Sequence, residues 1–332
     1  MTGRLANVAL LVVVPLATAS GLAMFLLGSG PVLAVAVLHG LVGLAVVVLV
    51  PWKSVVVRRG LRRARGPRLA TSLALAAVVV LAVVTGVAHL GGVLVAGSAL
   101  TSLQLHVGAG LAAVALTFVH ARHRPVRGRR TDLSRRSLLR LGLLASAAGI
   151  LDAGVRAAGA RTVPRGIRRP TGSFRLASSS VAAIPATSWL FDQVPAVDAQ
   201  SWRLTVTAGG VSRDWSLADL ARWDDRLTAV LDCTGGWWTQ QEWSGVRVAR
   251  LLPPATRGSV EVTSATGYSR RLPLSNDLLL ATAVGGVPPS ATHGSPARLV
   301  VPGRRGYHWV KWVARISQDD GPWWAEPPLP LR

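Results

Sequence analysis

Leu231-Asp232-Cys233-Thr234-Gly235-Gly236-Trp237-Trp238 holds the single cysteine of the 332-residue chain. The residues before it, 227–231, read as a strand, and the pair Gly235-Gly236 reads as a turn. One cysteine cannot close an intramolecular disulfide, so its value is as a packed thiol or as a ligand. No Cys-x-x-Cys and no His-Glu-x-x-His occurs, and a zinc centre built on paired thiolates is excluded. No Walker loop occurs either. A cysteine protease would need His293 or His308 as its base, and nothing further in the sequence supports that.

Working outward from this turn, the chain divides by composition. Half of its residues are hydrophobic, and they are concentrated before about residue 160. Every tryptophan except Trp52 lies after that point. The expected architecture is multi-domain, an N-terminal α-helical transmembrane bundle followed by a C-terminal α+β, mainly β, domain. The expected divisions are residues 1–123 for the membrane module, 124–187 for a basic loop, signal anchor and linker, and 188–332 for the globular domain.

Residues 5–27, 31–51, 69–95 and 98–120 each approach or exceed the ~20 apolar residues that cross a bilayer. The net charge is +22, which can signal nucleic acid. Its placement argues against that reading. Lys53, Arg58, Arg59, Arg62, Arg63, Arg65 and Arg68 form one acid-free run, and Arg122 to Arg140 forms a second with only Asp132 against it. The connections near Gly30 and Gly91 carry no charge. This is the positive-inside asymmetry of a multi-pass protein of the cytoplasmic membrane. It places the basic loops inside and, after a fifth apolar stretch at 141–151 with a tail to 160, the C-terminal domain outside. Ser134-Arg135-Arg136-Ser137-Leu138-Leu139 precedes that stretch and resembles a twin-arginine export signal.

Histidine is costly inside a bilayer and marks function by default. His39 and His106 each lie about eight residues from the outer end of their helix, hence ~12 Å deep from the same face. Two imidazoles at matched depth on different helices can clamp a haem b iron. His89, also in the outer half, could replace either or bond a propionate. His120 follows His106 at a spacing that resembles the two-haem helix of b-type cytochromes, but Lys53 stands where its partner would be. One haem is therefore expected.

Beyond the Ser/Ala/Pro-rich residues 172–187, strands are expected at 202–206, 227–231, 259–263, 298–301 and 310–316, with a capping box at Ser216 to Asp219. Three ordered segments resemble the molybdopterin-binding domain of the sulfite oxidase superfamily, most closely its compact branch of bacterial periplasmic methionine sulfoxide reductases. They are Trp202-Arg203-Leu204-x-Val206 with Ser216-Leu217-x-x-Leu220; Asp232-Cys233-x-Gly-Gly-Trp237 leading to Trp243-Ser244-Gly245-Val246; and His293-Gly294-x-Pro296-x-Arg298-Leu299-Val300-Val301-Pro302-Gly303 leading to Lys311-Trp312-Val313.

The resemblance implies that Cys233 binds molybdenum beside a single pterin, where soft sulfur suits the metal. It implies that Arg298 and His293 contact the cofactor, that Trp309, Val310 and Lys311 hold its phosphate, and that Tyr268 lies near a further pterin contact. Trp237, Trp238, Gln240 and Gln241 are candidates for lining the substrate mouth. Relatives carry a longer aromatic-polar segment where this chain has Trp189 to Pro195, and the substrate arginine of true sulfite oxidases has no placed match.

The expected activity is a two-electron reaction on a small-molecule substrate, with electrons exchanged through haem with a quinone or another carrier in the membrane lipid. Nucleic acid is not an expected partner. Two other readings stay open: a haem-only electron carrier with a cofactor-free outer domain, and a non-redox membrane receptor.

Overall fold

The computed structural model describes residues 3–61, 66–93, 101–123, 134–163, 167–177, 179–188, 192–254 and 256–327. Arg62, Arg63, Arg65, the basic residues 124–133 and the segment Trp189-Leu190-Phe191 lie outside the described residues. The chain forms two compact units, Met1–Gly172 and Ser173–Arg332.

Among the described residues the first unit has five helices: α1 (Gly3–Leu26), α2 (Val32–Leu61), α3 (Pro67–Leu90), α4 (Ser102–His123) and α5 (Arg135–Thr162). Each is long and apolar enough to cross a membrane. A helix satisfies its own backbone polar groups, so such runs are stable where water is absent. The polarity is inverted relative to a water-soluble bundle. Val80, Leu111, Leu143 and Ile150 face outward, while Ser20, Thr85, His89, Ser102 and Asp152 are buried. Helix α1 packs on α2, α3 on α4, and α5 on α2.

Two helix ends differ from expectation. Helix α3 stops at Leu90 because Gly91 and Gly92 follow, and Gly92 turns the chain at φ 76°. Helix α5 is longer than its apolar stretch. The Ser134 side chain accepts from the Ser137 amide and caps it, so the paired Arg135 and Arg136 form its first turn.

The second unit is mostly sheet. One five-stranded sheet contains β1 (Phe174–Arg175), β4 (Asp225–Asp232), β5 (Trp237–Arg247), β8 (Leu279–Val284) and β9 (Arg298–Val300). The other runs β3-β2-β10-β6-β7, from β2 (Arg203–Ala208), β3 (Val211–Ser216), β6 (Ser259–Ser264), β7 (Ser269–Pro273) and β10 (Val313–Asp319). Strand β2 alternates as its sequence requires, with Leu204, Val206 and Ala208 buried. They join Val260, Val262, Leu279, Leu280, Leu299 and Ile316 in one core. Ser216 starts the short helix α6 (Leu217–Leu220) with the expected capping box, its hydroxyl bonding Asp219 N and the Asp219 carboxylate bonding Ser216 N.

The boundary between the compact units, Gly172/Ser173, precedes the one read from composition at 187/188. Residues 173–187 belong to the sheet unit. Phe174–Arg175 pairs in parallel with Trp237–Trp238, and His293 and Lys311 bond the carbonyls of Ile184 and Thr187.

Candidate active site

Cys233 leaves the end of β4 into a turn closed by Cys233 N to Trp237 O (2.9 Å) and Gly236 N to Cys233 O (3.1 Å). Gly236 takes φ 93° there, a conformation that favours glycine. The Cys233 sulfur receives the Gly235 amide at 3.3 Å and lies 3.5 Å from the Thr187 hydroxyl. Cys233 is buried, at 8% exposure.

Beside the cysteine stand two cations, one buried and one half-buried. Arg298 opens β9; its Nη1 donates to His293 O at 3.0 Å. Its guanidinium lies 5.2 Å from the Trp243 ring centre and 5.8 Å from that of Trp309. Its Nε is buried and has no hydrogen-bond partner among the described residues. Burial pulls the guanidinium down to about 10, with the Cys233 sulfur acting in the opposite sense. Lys311 donates through Nζ to Thr187 O (2.7 Å) and Thr292 O (2.6 Å). Burial, then repulsion from Arg298, lowers it to about 8, while Cys233 and Asp192 oppose that shift. Among the described residues neither cation forms an ion pair with a carboxylate.

His293 is half-buried, with Nδ1 against the Ser290 hydroxyl (2.7 Å) and Nε2 donating to Ile184 O (2.9 Å). Burial lowers its pKa, so the ring is neutral near pH 7. Gly294 follows at φ 105°, and a Cβ there would stand 3.0 Å from Arg298 Cβ and 3.1 Å from Lys311 Cβ. This glycine lets the His293 turn close onto both cations.

The other expected contacts sit differently. Trp309 and Val310 are buried, and their amides bond locally to Gly306 O and His308 O. Tyr268 is buried and donates to Tyr307 O, and burial raises its hydroxyl pKa. It supports the loop after β9. Gln241 is buried and bonds Ser179 O (2.8 Å) and the Thr239 hydroxyl (2.9 Å), so it braces residue 179, whereas Gln240 is exposed. The indole of Trp237 borders the cysteine turn, its Nε1 3.6 Å from where a Cβ on Gly235 would lie.

The resemblance calls for an anionic molybdenum cofactor at this donor set. Among the described residues no cluster of three His, Cys, Asp or Glu side chains could hold a metal by itself. A metal at Cys233 would take its other ligands from a bound group. An unpartnered buried guanidinium nitrogen and a lysine bonded only to backbone carbonyls suit an anion. The residues present fit the group.

Sequence reasoning missed Arg305, whose guanidinium is buried directly behind the cysteine turn. Among so many arginines nothing local marks it. Thr187 and Ser173, which also touch Cys233, lay in residues read as a linker.

In the helical unit, the rings of His39 and His106 lie 5.8 Å apart, centre to centre, at an interplanar angle of 85°. Each is fixed through Nδ1, His39 on the Ser20 hydroxyl (3.0 Å) and His106 on Ala82 O (2.7 Å). Gly21 and Gly86 leave room for them; a Cβ would stand 3.1 Å from His39 Cε1 and 2.9 Å from His106 Nδ1. His89 is placed differently. Its Nε2 donates to Gly172 O (2.8 Å) and its Nδ1 meets the Ser102 hydroxyl (3.3 Å), so both nitrogens are engaged by protein groups.

Residues 191–324 match the family model described as oxidoreductase molybdopterin binding domain. Rat mitochondrial sulfite oxidase is 29% identical over 166 residues, which cover 38% of this chain and 30% of that protein. The human enzyme is 29% identical over 164 residues, covering 37% and 30%. Among solved structures, the sulfane dehydrogenase SoxCD from Paracoccus pantotrophus is similar at 26% identity, covering 39% of this chain and 40% of that chain with a TM-score of 0.36. The match thus spans 30% of the length of these mammalian relatives. The C-terminal unit carries a sulfite-oxidase-like molybdopterin-binding domain.

Proposed function

We propose that this chain is a membrane-anchored molybdenum oxidoreductase. It acts on a small molecule outside the cytoplasmic membrane and exchanges electrons with a quinone or another membrane carrier through haem b. The observation that carries the reading is the trio of Cys233, Arg298 and Lys311, one buried sulfur with a buried and a half-buried cation that influence one another.

In this reading Cys233 supplies the protein thiolate. Arg298 Nε and Lys311 Nζ hold the anionic parts of the pterin, and neutral His293 fixes the turn that presents them. The bound molybdenum supplies oxygen-atom transfer or a related two-electron step. The chain's own part is to orient the group and limit water, and Trp237 borders the mouth. His39 and His106 are the haem ligands, each offering Nε2 because Nδ1 is held by the protein. The basic runs around residues 53–68 and 122–140 support a domain outside.

Metal content and an optical spectrum of the detergent-purified chain test this reading. Molybdenum together with a haem spectrum is expected. Haem alone would favour an electron carrier with a cofactor-free domain, and neither would favour a receptor.

A further inference from the structure

Behind the cysteine turn lies a buried charge pair. Arg305 and Asp232 are ion-paired through Nη1 and Oδ1, with side chains 2% and 3% exposed. The Ser173 hydroxyl donates to Asp232 Oδ1 at 2.6 Å and receives Arg305 Nη1 at 3.1 Å. The same cluster reaches the backbone of the cysteine. Arg305 Nη2 donates to Cys233 O at 3.2 Å, and Ser173 Oγ lies 3.3 Å from that oxygen. Asp232 and Arg305 also form a parallel backbone bridge. Gly306, next in sequence, lies so close that a Cβ would meet Cys233 Cα at 3.4 Å.

A buried ion pair rarely adds net stability over apolar packing, because both charges lose their water. It does fix geometry, and a forked guanidinium can serve two acceptors at once. Here one arm of the fork holds Asp232 and the other the carbonyl of the next residue. The carbonyl of Cys233 therefore cannot rotate without breaking a charge-assisted bond, and its sulfur is aimed from behind. We infer that Arg305 is a positioning residue for the Cys233 sulfur, acting through Asp232, Ser173 and the Cys233 carbonyl. The inference rests on the molybdenum reading for its purpose but not for its first test.

Because Cys233 is the sole thiol, alkylation of the full-length, cofactor-free chain by iodoacetamide reports on this turn alone. Arg305→Lys keeps the charge beside Asp232 but cannot reach both acceptors. Ser173→Ala removes one tether with little change in volume. Ile316→Val, in the core of the other sheet, is a destabilised control. Loss of one charge-assisted bond should raise the labelling rate about tenfold in Arg305→Lys. A smaller rise is expected in Ser173→Ala and none in Ile316→Val. Labelling equal to wild type in a folded Arg305→Lys overturns the inference. If Arg305→Lys does not fold, an unchanged rate in Ser173→Ala overturns it.

With molybdenum loaded, Arg305→Lys should shift the sulfur-to-metal charge-transfer absorption and lower kcat with KM unchanged. A wild-type chain that takes up no molybdenum would defeat the reading above, and the labelling arm would still decide the role of Arg305.

Discussion

His39 on α2 and His106 on α4 meet edge to face across the helical unit, 5.8 Å between ring centres. Each ring packs onto a glycine and is oriented by a bond through Nδ1. Two helices that were matched only by depth in the sequence thus present their imidazoles to one another. If the chain binds haem b as proposed, replacing either His39 or His106 with Leu should abolish the haem spectrum. His89→Asn should retain it, since both nitrogens of His89 already bind protein groups. Optical spectra of the three variants check this.

Cys233→Ser should lose molybdenum-dependent turnover if the thiolate is the protein's ligand to the metal. The haem spectrum should be unchanged. A fully active serine variant would overturn the assignment.

Lys311 gives a pH dependence with a definite sign. Its pKa is lowered in the folded chain from 10.5 to about 8. Between about pH 8 and 10.5 the unfolded chain binds the extra proton, so the cost of burying the charge is fully present below pH 8. It is relieved as pH rises through that window. An anionic cofactor prefers the charged amine. Cofactor retention should therefore be strongest below pH 8 and weaken above it, and Lys311→Arg should flatten that slope. Molybdenum content after dialysis at a series of pH values measures it.

Gly294→Ala should reduce molybdenum content several-fold with little effect on haem. Its φ of 105° is unfavourable for any side chain, and the new Cβ would press on Arg298 and Lys311. Paired metal and haem analysis distinguishes this local effect from unfolding.

Helix α5 is pinned to α2 by a part-buried pair. Arg156 bonds Asp152 at 2.6 Å and Ala36 O at 2.6 Å. A Cβ on Gly40 would clash with Asp152 Oδ1. Gly40→Val should destabilise the helical unit by about 1–3 kcal/mol through overpacking. Thermal unfolding in detergent checks it. The mass of the purified wild-type chain should include residues 135–162, because this helix is a packed part of the unit.

The legible parts of this chain were those with local causes. The alternation of 202–206, the capping box at Ser216 and the turn around Gly235-Gly236 depend on neighbours within a few residues. The expected strand at 310–316 begins only at Val313, because Trp312 takes φ 50° and breaks the extended run. Strand β5 was not apparent, since its burial follows from pairing with β4 on one side and β8 on the other. Arg298, Lys311 and His293 were named as candidates by an ordered motif. Arg305 was not, because its role comes from long-range pairing with Asp232.

The two-residue ladder between Phe174–Arg175 and Trp237–Trp238 has a practical consequence. A water-soluble fragment that starts at residue 188 would leave one margin of the sheet bare, and it would discard Ser173 and the carbonyls that His293 and Lys311 need. Any severed catalytic half should therefore start no later than Ser173, where the leading polypeptide is already woven into the fabric that carries the thiol.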